Sequence, residues 1–318
     1  MPDKYRVAVF AHNEEHKILA ALRSIEQAVP PDADLRAVVL ANGCSDRTVP
    51  LVLTFMKEHP WVQLALIPLP SKTHAWNLYV HHIADDAPVH FFMDGDCRVS
   101  PNGLALMLDV WRQHPHAHAV AGFPLSGRHA FIYQAVMRKA RLVFGNLYAI
   151  AGAHLERIRM AGVHLPVGTR GEDHLVTRLL WRESFVIEKC DNRLVVYRED
   201  AGYVFDSLQP WRLRDWRTFF RRRINYRLRT YHIRALDPLH PRDWPRTTDA
   251  INRQILQELD EHPPAAWDWV GRALRRRLRR MYPRPDSAYY EDLLGRFPSY
   301  QLITAQTPPS AYELLLES

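Results

Sequence analysis

The chain has 318 residues, of which 47% are hydrophobic and 24% are charged. This balance excludes a disordered chain, a collagen-like fibre and a disulfide-held miniprotein, and the length suits one large domain or two smaller ones. Most of the net charge of +7 lies in residues 206–318, which contain 20 Arg against 14 Asp and Glu. Such a basic segment is typical of binding to phosphate groups, nucleic acid or an anionic membrane, and equally of a soluble Arg-rich surface.

The chain up to residue 123 alternates between strand-like and helix-like periodicity. The pattern predicts strands at 6–11, 35–41, 62–67, 89–93 and 117–123, and helices at 14–28, 48–58, 72–84 and 102–114, with Ser71 as the N-cap of the third helix. Strands and helices that alternate with short connections indicate an α/β sheet with helices on both faces.

The pattern changes beyond residue 205. Helices are predicted at 211–234, 247–261 and 265–281, and the segment after them is rich in proline. We therefore expect residues 1–205 to form an α/β domain and residues 206–318 to form a mainly helical, Arg-rich region.

No apolar run in the sequence approaches 18 residues, so no spanning helix is predicted. The five apolar residues Val7–Ala11 are too few for the core of a signal peptide. The three cysteines, Cys44, Cys97 and Cys190, are far apart and indicate reduced thiols. We expect a cytoplasmic protein, peripheral at the inner face of the membrane if its basic region contacts lipid.

Polar clusters follow three of the predicted strands, where ligands of such sheets bind. They are Asn13-Glu14, residues 42–46 and Asp94-Gly95-Asp96. Two carboxylates separated by one residue at a strand end provide the oxygen ligands that Mg²⁺ or Mn²⁺ uses when it bridges a diphosphate. The alternative interpretation of the last cluster is a solvated turn.

A second carboxylate pair, Glu172-Asp173, stands where a helix is predicted to begin, directly after residues 168–171. A carboxylate here could act as the general base that takes a proton from an acceptor hydroxyl. The purely structural alternative is a favourable interaction with the helix dipole.

Two basic stretches lie in the C-terminal region. Arg221–Arg223 with Arg227 and Arg229 form a cationic helix that suits phosphate binding or a solvated face. The arginines of residues 272–280 alternate with apolar residues at helical spacing. This second pattern indicates either an amphipathic helix on an anionic membrane or a helix that packs on the core.

In combination, these motifs over about residues 5–230 resemble glycosyltransferase family 2. The similar segments are residues 7–14 (VAVFAHNE), 42–48 (NGCSDRT), 72–77 (KTHAWN), 94–96 (DGD, the DxD motif), 171–173 (GED) and, more loosely, the arginine segment 223–227. The resemblance implies a GT-A fold, with a Rossmann-like mixed sheet, and a nucleotide-sugar donor.

The resemblance also implies roles for individual residues. Asp96 and Asp94 would hold Mn²⁺ or Mg²⁺, and Asp173 would be the catalytic base of an inverting reaction, with Glu172 as the second candidate. The donor would contact the following residues: Ala11, Asn13, Glu14, Asn42, Asp46, Lys72, Asn77, Asp94, Arg223 and Arg227. The resemblance implies a UDP-sugar first. The family's base-binding loop usually begins Asp-Asp or Asp-Asn, whereas this chain has Ala41-Asn42, which leaves a GDP- or dTDP-sugar as an alternative. The acceptor would be a glycan, a lipid-linked molecule or a small molecule, and no nucleic acid is expected.

Two other functions remain as alternatives. A sugar-1-phosphate nucleotidyltransferase needs a loop rich in Gly and Arg after its first strand, where this chain has residues 11–14, AHNE. A non-catalytic module could use the basic C-terminal region to dock on membrane or nucleic acid.

Overall fold

The computed structural model describes residues 3–127, 130–185, 189–206, 213–297 and 299–311. Within these residues, one mixed sheet contains β1 (Lys4–Ala11), β2 (Asp34–Asn42), β3 (Val62–Ile67), β4 (Val89–Asp94), β5 (Cys97–Val99), β6 (Ala119–Pro124), β7 (Leu147–Ala151), β8 (Val195–Phe205) and β9 (Gln301–Ile303). Their order across the sheet is β5-β8-β6-β7-β4-β1-β2-β3-β9. The four strands β3, β2, β1 and β4 run parallel, so their carboxyl ends share one edge.

The helices are α1 (Ile18–Glu26), α2 (Thr48–Met56), α3 (Lys72–Leu78), α4 (Gly103–Gln113), α5 (Ala130–Ala140), α6 (Gly152–Met160), α7 (Glu172–Leu180), α8 (Leu213–Leu236), α9 (Asp249–Glu261), α10 (Trp269–Met281) and α11 (Tyr289–Arg296). A π-helical turn, Tyr79–Ile83, extends α3. The mixed α/β class with a helical C-terminal region is therefore confirmed.

Side chains of β1 alternate between the two faces of the sheet, as the twofold period of a strand requires. Val7 and Val9 pack with α1, α2 and α4 in one core, whereas Ala8 and Phe10 pack with α3, α6 and α7 in the other. Because helices cover both faces, the central strands are continuous apolar runs, which is why the sequence predicts them well.

Helices α8, α9 and α10 form a core of their own, made by Leu228, Ile255, Leu259, Leu274 and Leu278. The apolar stripe of α10 is thus buried in the protein, as in the second of the two interpretations that the sequence left open. No helix within the described ranges is long and apolar enough to cross a membrane.

The chain returns to the sheet after these helices. Gln301–Ile303 pairs antiparallel with β3, although the sequence around it contains many prolines and suggests irregular structure. Only three residues form this strand, which is too short for a periodic signal. The expected division of the chain after residue 205 stays a prediction.

Several histidines are buried in the described chain: His74, His90, His118, His154 and His232. Burial lowers the pKa of each imidazole, to about 4 for His74, His90 and His232. The rings of His118 and His154 stack at 4.1 Å, and His154 Nε2 lies 3.1 Å from the carbonyl of Leu179. These imidazoles are therefore neutral in the folded protein at neutral pH.

We expect the free energy of unfolding to fall as the pH is lowered from 6.5 to about 4. The unfolded chain, whose imidazoles have the ordinary pKa of about 6.5, binds more protons there than the folded chain, so each histidine adds a slope of up to about 1.4 kcal/mol per pH unit. His154→Gln keeps a donor for the Leu179 carbonyl but cannot titrate, so it should show a smaller slope in urea unfolding. His16→Gln, at a side chain that is 78% exposed, is the control. Equal slopes for His154→Gln and the wild type would contradict this account.

Candidate active site

A cleft of about 950 Å³ lies at the carboxyl ends of β1, β2 and β4. The sheet side contributes Phe10, His12, Glu14, Asn42, Asp94, Gly95 and Asp96, and the segment around α3 contributes Pro70 and Lys72. The opposite wall comes from Arg170 and Glu172 and from α8, α10 and α11. Of the strand-end polar residues that the sequence singles out, the structure thus brings Glu14, Asn42, Asp94 and Asp96 together.

Lys72 is the first residue of α3, whose N-cap Ser71 accepts a hydrogen bond from the His74 amide. Its Nζ lies 2.5 Å from Asp94 Oδ1 and 2.8 Å from Glu172 Oε1, and 5.2 Å from the ring centre of Phe10. Burial opposes the charge on Lys72, but the two carboxylates raise its pKa well above its ordinary value. The ammonium therefore stays protonated and joins the end of β4 to the start of α7.

The acidic side of the cleft is crowded. Burial raises the pKa of Asp94 to about 7, with Lys72 opposing this rise and Asp96 adding to it. Burial also raises the pKa of Glu14 to about 7, and Asp96 adds to that rise as well. Carboxylates that make each other harder to ionise form a place where an added cation is favourable.

The donor set of this acidic side fits a hard divalent cation, because Asp94 and Asp96 present carboxylate oxygens to one cleft. Within the described residues, no group of three or more His, Cys, Asp or Glu side chains is arranged to hold a metal ion. A cation held by Asp94 and Asp96 would therefore complete its coordination with oxygens of a bound ligand and water.

Asp173 follows Glu172 in the first turn of α7 and is paired with α8. Its Oδ1 lies 3.2 Å from Arg229 Nη2, and the same oxygen accepts the backbone N–H of His174 at 3.0 Å. Burial raises the pKa of Asp173, the neighbouring Glu172 adds to the rise, and Arg229 opposes it. Gly171 has φ 89°, and a Cβ there would lie 2.6 Å from the Arg229 side chain, so only glycine allows this approach.

Arginines line the cleft opposite the carboxylates: Arg170, Arg221, Arg222, Arg277 and Arg280. We call this set the basic wall. Among the described salt bridges, none joins a member of this wall to a carboxylate. Burial lowers the pKa of Arg277, and Arg170 adds to this effect. Arg170 Nε is buried without a hydrogen-bond partner in the described chain. The positive charge of the wall and the unpartnered Arg170 Nε suit it to an anion.

Arg223 and Arg227, which we expected to contact the donor, are not among the described residues that line the cleft. Arg227 lies 3.3 Å from Asp268, and Arg223 lies 6.0 Å from the ring centre of Phe219. Sequence reasoning singled out the arginine run but not which of its members face the cleft. For Arg277 and Arg280 the sequence does contain a signal, because residues three positions apart on a helix lie on the same face.

Several other predicted donor contacts support the loops of the cleft. Asn13 Oδ1 accepts the Ser45 amide at 2.7 Å, and Asn42 Nδ2 donates to the Ala11 carbonyl at 2.9 Å. Asp46 accepts the amides of Glu15 and Thr48, both at 3.0 Å. These bonds fix the loops after β1 and β2 against each other, next to Glu14 and Asn42 on the cleft surface.

Asn77 is buried away from the cleft lining. Its Nδ2 donates to the Leu165 carbonyl at 2.8 Å and its Oδ1 accepts the Leu165 amide at 2.9 Å. The side chain thereby satisfies both polar groups of one backbone unit, which would otherwise be buried without partners. Asn77 thus holds the segment before Arg170 against α3.

Residues 6–168, about half of the chain, match the family model described as Glycosyl transferase family 2. The chain therefore belongs to glycosyl transferase family 2 and is a glycosyltransferase. The alternatives of a nucleotidyltransferase and a non-catalytic module are thereby set aside. No curated protein sequence matches the chain significantly.

One solved structure shows the same architecture. Mannosyltransferase PcManGT from Pyrobaculum calidifontis, in complex with GDP-Man and Mn²⁺, aligns over 100% of this chain and 80% of its own, with 19% identity and a TM-score of 0.54. S. aureus TarS aligns over 81% of this chain and 43% of its own, with 14% identity and a TM-score of 0.49. The similarity to the mannosyltransferase shows the fold, and the expected GT-A type is confirmed.

We expect Asn77→Ala to lower the free energy of unfolding by about 2–3 kcal/mol, because it leaves the Leu165 N–H and C=O buried without partners. Urea unfolding measures the loss, and donor affinity of the folded variant should change little. Asn225→Ala is the matched control: Asn225 lines the cleft, so this variant should change donor affinity more than stability. Unchanged stability with weakened donor binding in Asn77→Ala would instead assign Asn77 to the donor site.

Proposed function

We propose that the protein transfers a sugar from a nucleotide-diphosphate sugar to an acceptor hydroxyl, in a metal-dependent reaction that inverts the anomeric carbon. The observation that carries this proposal is the arrangement of the cleft. Carboxylates for a cation, a basic wall for phosphate and Glu172 of the second carboxylate pair line one volume of about 950 Å³, and Asp173 follows Glu172 in the first turn of α7. Family membership and the GDP-Man bound to the mannosyltransferase of the same fold support it.

The donor would lie between the loops after β1 and β2 and the basic wall. His12, Asn42 and Pro70 line the part of the cleft nearest these loops, which suits the nucleoside. A UDP-sugar remains our first expectation, with GDP- and dTDP-sugars as alternatives. Guanidinium groups bind phosphate oxygens through paired hydrogen bonds, so Arg170 and Arg277 are suited to the diphosphate.

Asp94 and Asp96 would hold Mn²⁺ or Mg²⁺. Such a cation, when bound, acts as a Lewis acid on the oxygens of the leaving diphosphate. Lys72 keeps Asp94 in place and, together with the basic wall, adds positive charge where the leaving group becomes more negative. The Mn²⁺ bound to the mannosyltransferase of the same fold supports this part of the proposal.

Asp173 is the better of the two candidate bases. Burial opposes ionisation of Glu172, but Lys72 at 2.8 Å holds the pKa of that carboxyl below its ordinary value. The pKa of Asp173 is raised by burial, which makes its carboxylate the stronger proton acceptor of the pair. Arg229 would orient Asp173 while it takes the proton from an acceptor hydroxyl, whether of a glycan, a lipid-linked molecule or a small molecule.

We expect donor binding to depend on a divalent cation, because Lys72 and Lys17 are already paired with Asp94 and Asp96, and a cation between these carboxylates and the diphosphate would offset their mutual repulsion. Titration of the nucleotide sugar should give tighter binding in Mn²⁺ than in excess EDTA. A nucleoside without phosphates is the control and should bind equally in both. Equal affinity of the nucleotide sugar in Mn²⁺ and in EDTA would refute the metal part of the proposal.

Substitutions in the two acidic motifs should have different effects on donor binding and on transfer. Asp173→Asn keeps the shape of the side chain but cannot take a proton, so transfer should fall about 10²- to 10⁴-fold while donor binding survives. Asp96→Ala should damage both donor binding and transfer, because it removes a cation ligand. Initial rates and donor titrations measure the two effects.

Near-normal transfer by Asp173→Asn would remove Asp173 as the base and make Glu172 the next residue to test. A purely structural role of Asp173 at the start of α7 predicts that outcome, because Asn is also well tolerated near helix N-termini.

A further inference from the structure

The first half of α8 exposes a row of aromatic side chains. Trp216, Phe219 and Phe220 are 49%, 45% and 41% exposed, and their spacing of three and four residues places them on one helix face. Trp267, which precedes α10, is 85% exposed. Phe220 lies 5.2 Å from Trp269, ring centre to ring centre, which joins the two segments. We call Trp216, Phe219, Phe220, Trp267 and Trp269 the aromatic patch.

This exposure contrasts with the apolar face of α10. The apolar residues of α10, among them Val270, Leu274 and Leu278, are buried. The helices of the C-terminal region therefore bury apolar side chains in a core, but they leave Trp216, Phe219, Phe220 and Trp267 exposed to solvent. Large exposed apolar patches on a folded protein mark a contact with a partner or a membrane.

The charge around the patch identifies its partner. Helix α8 contains eight Arg and one Asp in its sequence. Of these arginines, Arg221 and Arg222 also line the cleft, and Arg227 and Arg229 pair with Asp268 and Asp173. Arg223 lies over the ring of Phe219, and Arg221 and Arg222 follow the patch directly. Trp and Phe beside Arg are the composition of surfaces that lie in the interface of an anionic bilayer. A second copy of the chain would bring two arginine-rich faces together, which repel.

Single-stranded nucleic acid fits the patch less well. Phe219 and Trp269 both pack against Phe220 nearly edge-on, at interplanar angles of 74° and 85°. Bases stack on exposed ring faces, and these rings form a continuous apolar surface rather than a series of separate platforms.

We propose that the aromatic patch docks the protein on an anionic membrane surface, with its Trp and Phe side chains in the interfacial layer and Arg223 of α8, which lies over the Phe219 ring, near the lipid phosphates. The same helix carries Arg229, the partner of Asp173, about 14 Å along its axis from Phe220. Docking would also place the catalytic cleft near acceptors held by that membrane; only this consequence rests on the proposed function.

The test is co-sedimentation with vesicles of phosphatidylcholine, with and without phosphatidylglycerol. The wild type should bind only the vesicles that contain phosphatidylglycerol. Phe219→Ser/Phe220→Ser should weaken this binding at least about tenfold, the effect of losing roughly 1.4 kcal/mol. Trp267→Ser should also weaken vesicle binding, and it should leave the fold intact because the Trp267 side chain is 85% exposed. Met160→Ser, at an 81% exposed methionine of α6, is the control and should bind as the wild type does.

Several results would overturn the proposal. One is that the wild type does not bind phosphatidylglycerol vesicles. Another is that Trp267→Ser binds them as well as the wild type does. A third is salt-sensitive binding that none of the aromatic substitutions weakens. A wild type that dimerises in sedimentation equilibrium, with dimers lost in Phe219→Ser/Phe220→Ser and no vesicle binding, would assign the patch to a second copy. Because the vesicles contain no sugar donor or acceptor, failure here is separate from failure of the proposed function, which donor titration measures.

Discussion

One ammonium group connects the two acidic segments of the cleft. Lys72 Nζ lies between Asp94 at the end of β4 and Glu172 at the start of α7, and all three side chains are at least 70% buried. Without this cation, two carboxylates would face each other in a setting with little water, where like charges are costly. The lysine therefore allows the sheet to present a dense group of carboxylates, and it leaves Asp173 as the member of the second pair that is not bound to Lys72.

The acidic side of the cleft could be predicted from the sequence, and the basic side could not. Asp94 ends the apolar strand β4 and Glu14 lies three residues after β1, so local periodicity places them at the same sheet edge. Arg170, Arg222 and Arg277 come from three distant segments, and only their packing brings them to one wall. Arg227 sits on the same helix as Arg222 but is paired with Asp268, a contact across 41 positions of the chain that no local pattern reveals. The fold shows the same division: the continuous parallel strands were predicted, whereas the three-residue β5 and β9 depend on partners far along the chain.

The motifs that carry the family resemblance contain two kinds of residue. Lys72 and Asp94 present charge to the cleft, whereas Asn77 and Asp46 satisfy backbone groups behind it. The second kind is polar because irregular loops near a ligand leave amides and carbonyls without partners, and a side chain must supply the missing bonds. A motif can thus match a family along its whole length while only some of its residues touch the ligand.

The antiparallel pairing of β9 with β3 has a consequence for the order of folding. Leu64 pairs with Ile303, so the edge of the sheet is completed by residues that follow α8 to α11 in the chain. Contacts between such distant positions form late, because closing a long loop costs entropy before the contact repays it. The parallel strands and their carboxylates can assemble first, as a sheet with one uncovered edge. Arg170 precedes β8 whereas the arginines of α8 and α10 precede β9, so the basic wall would be completed only when this closing segment packs on the sheet.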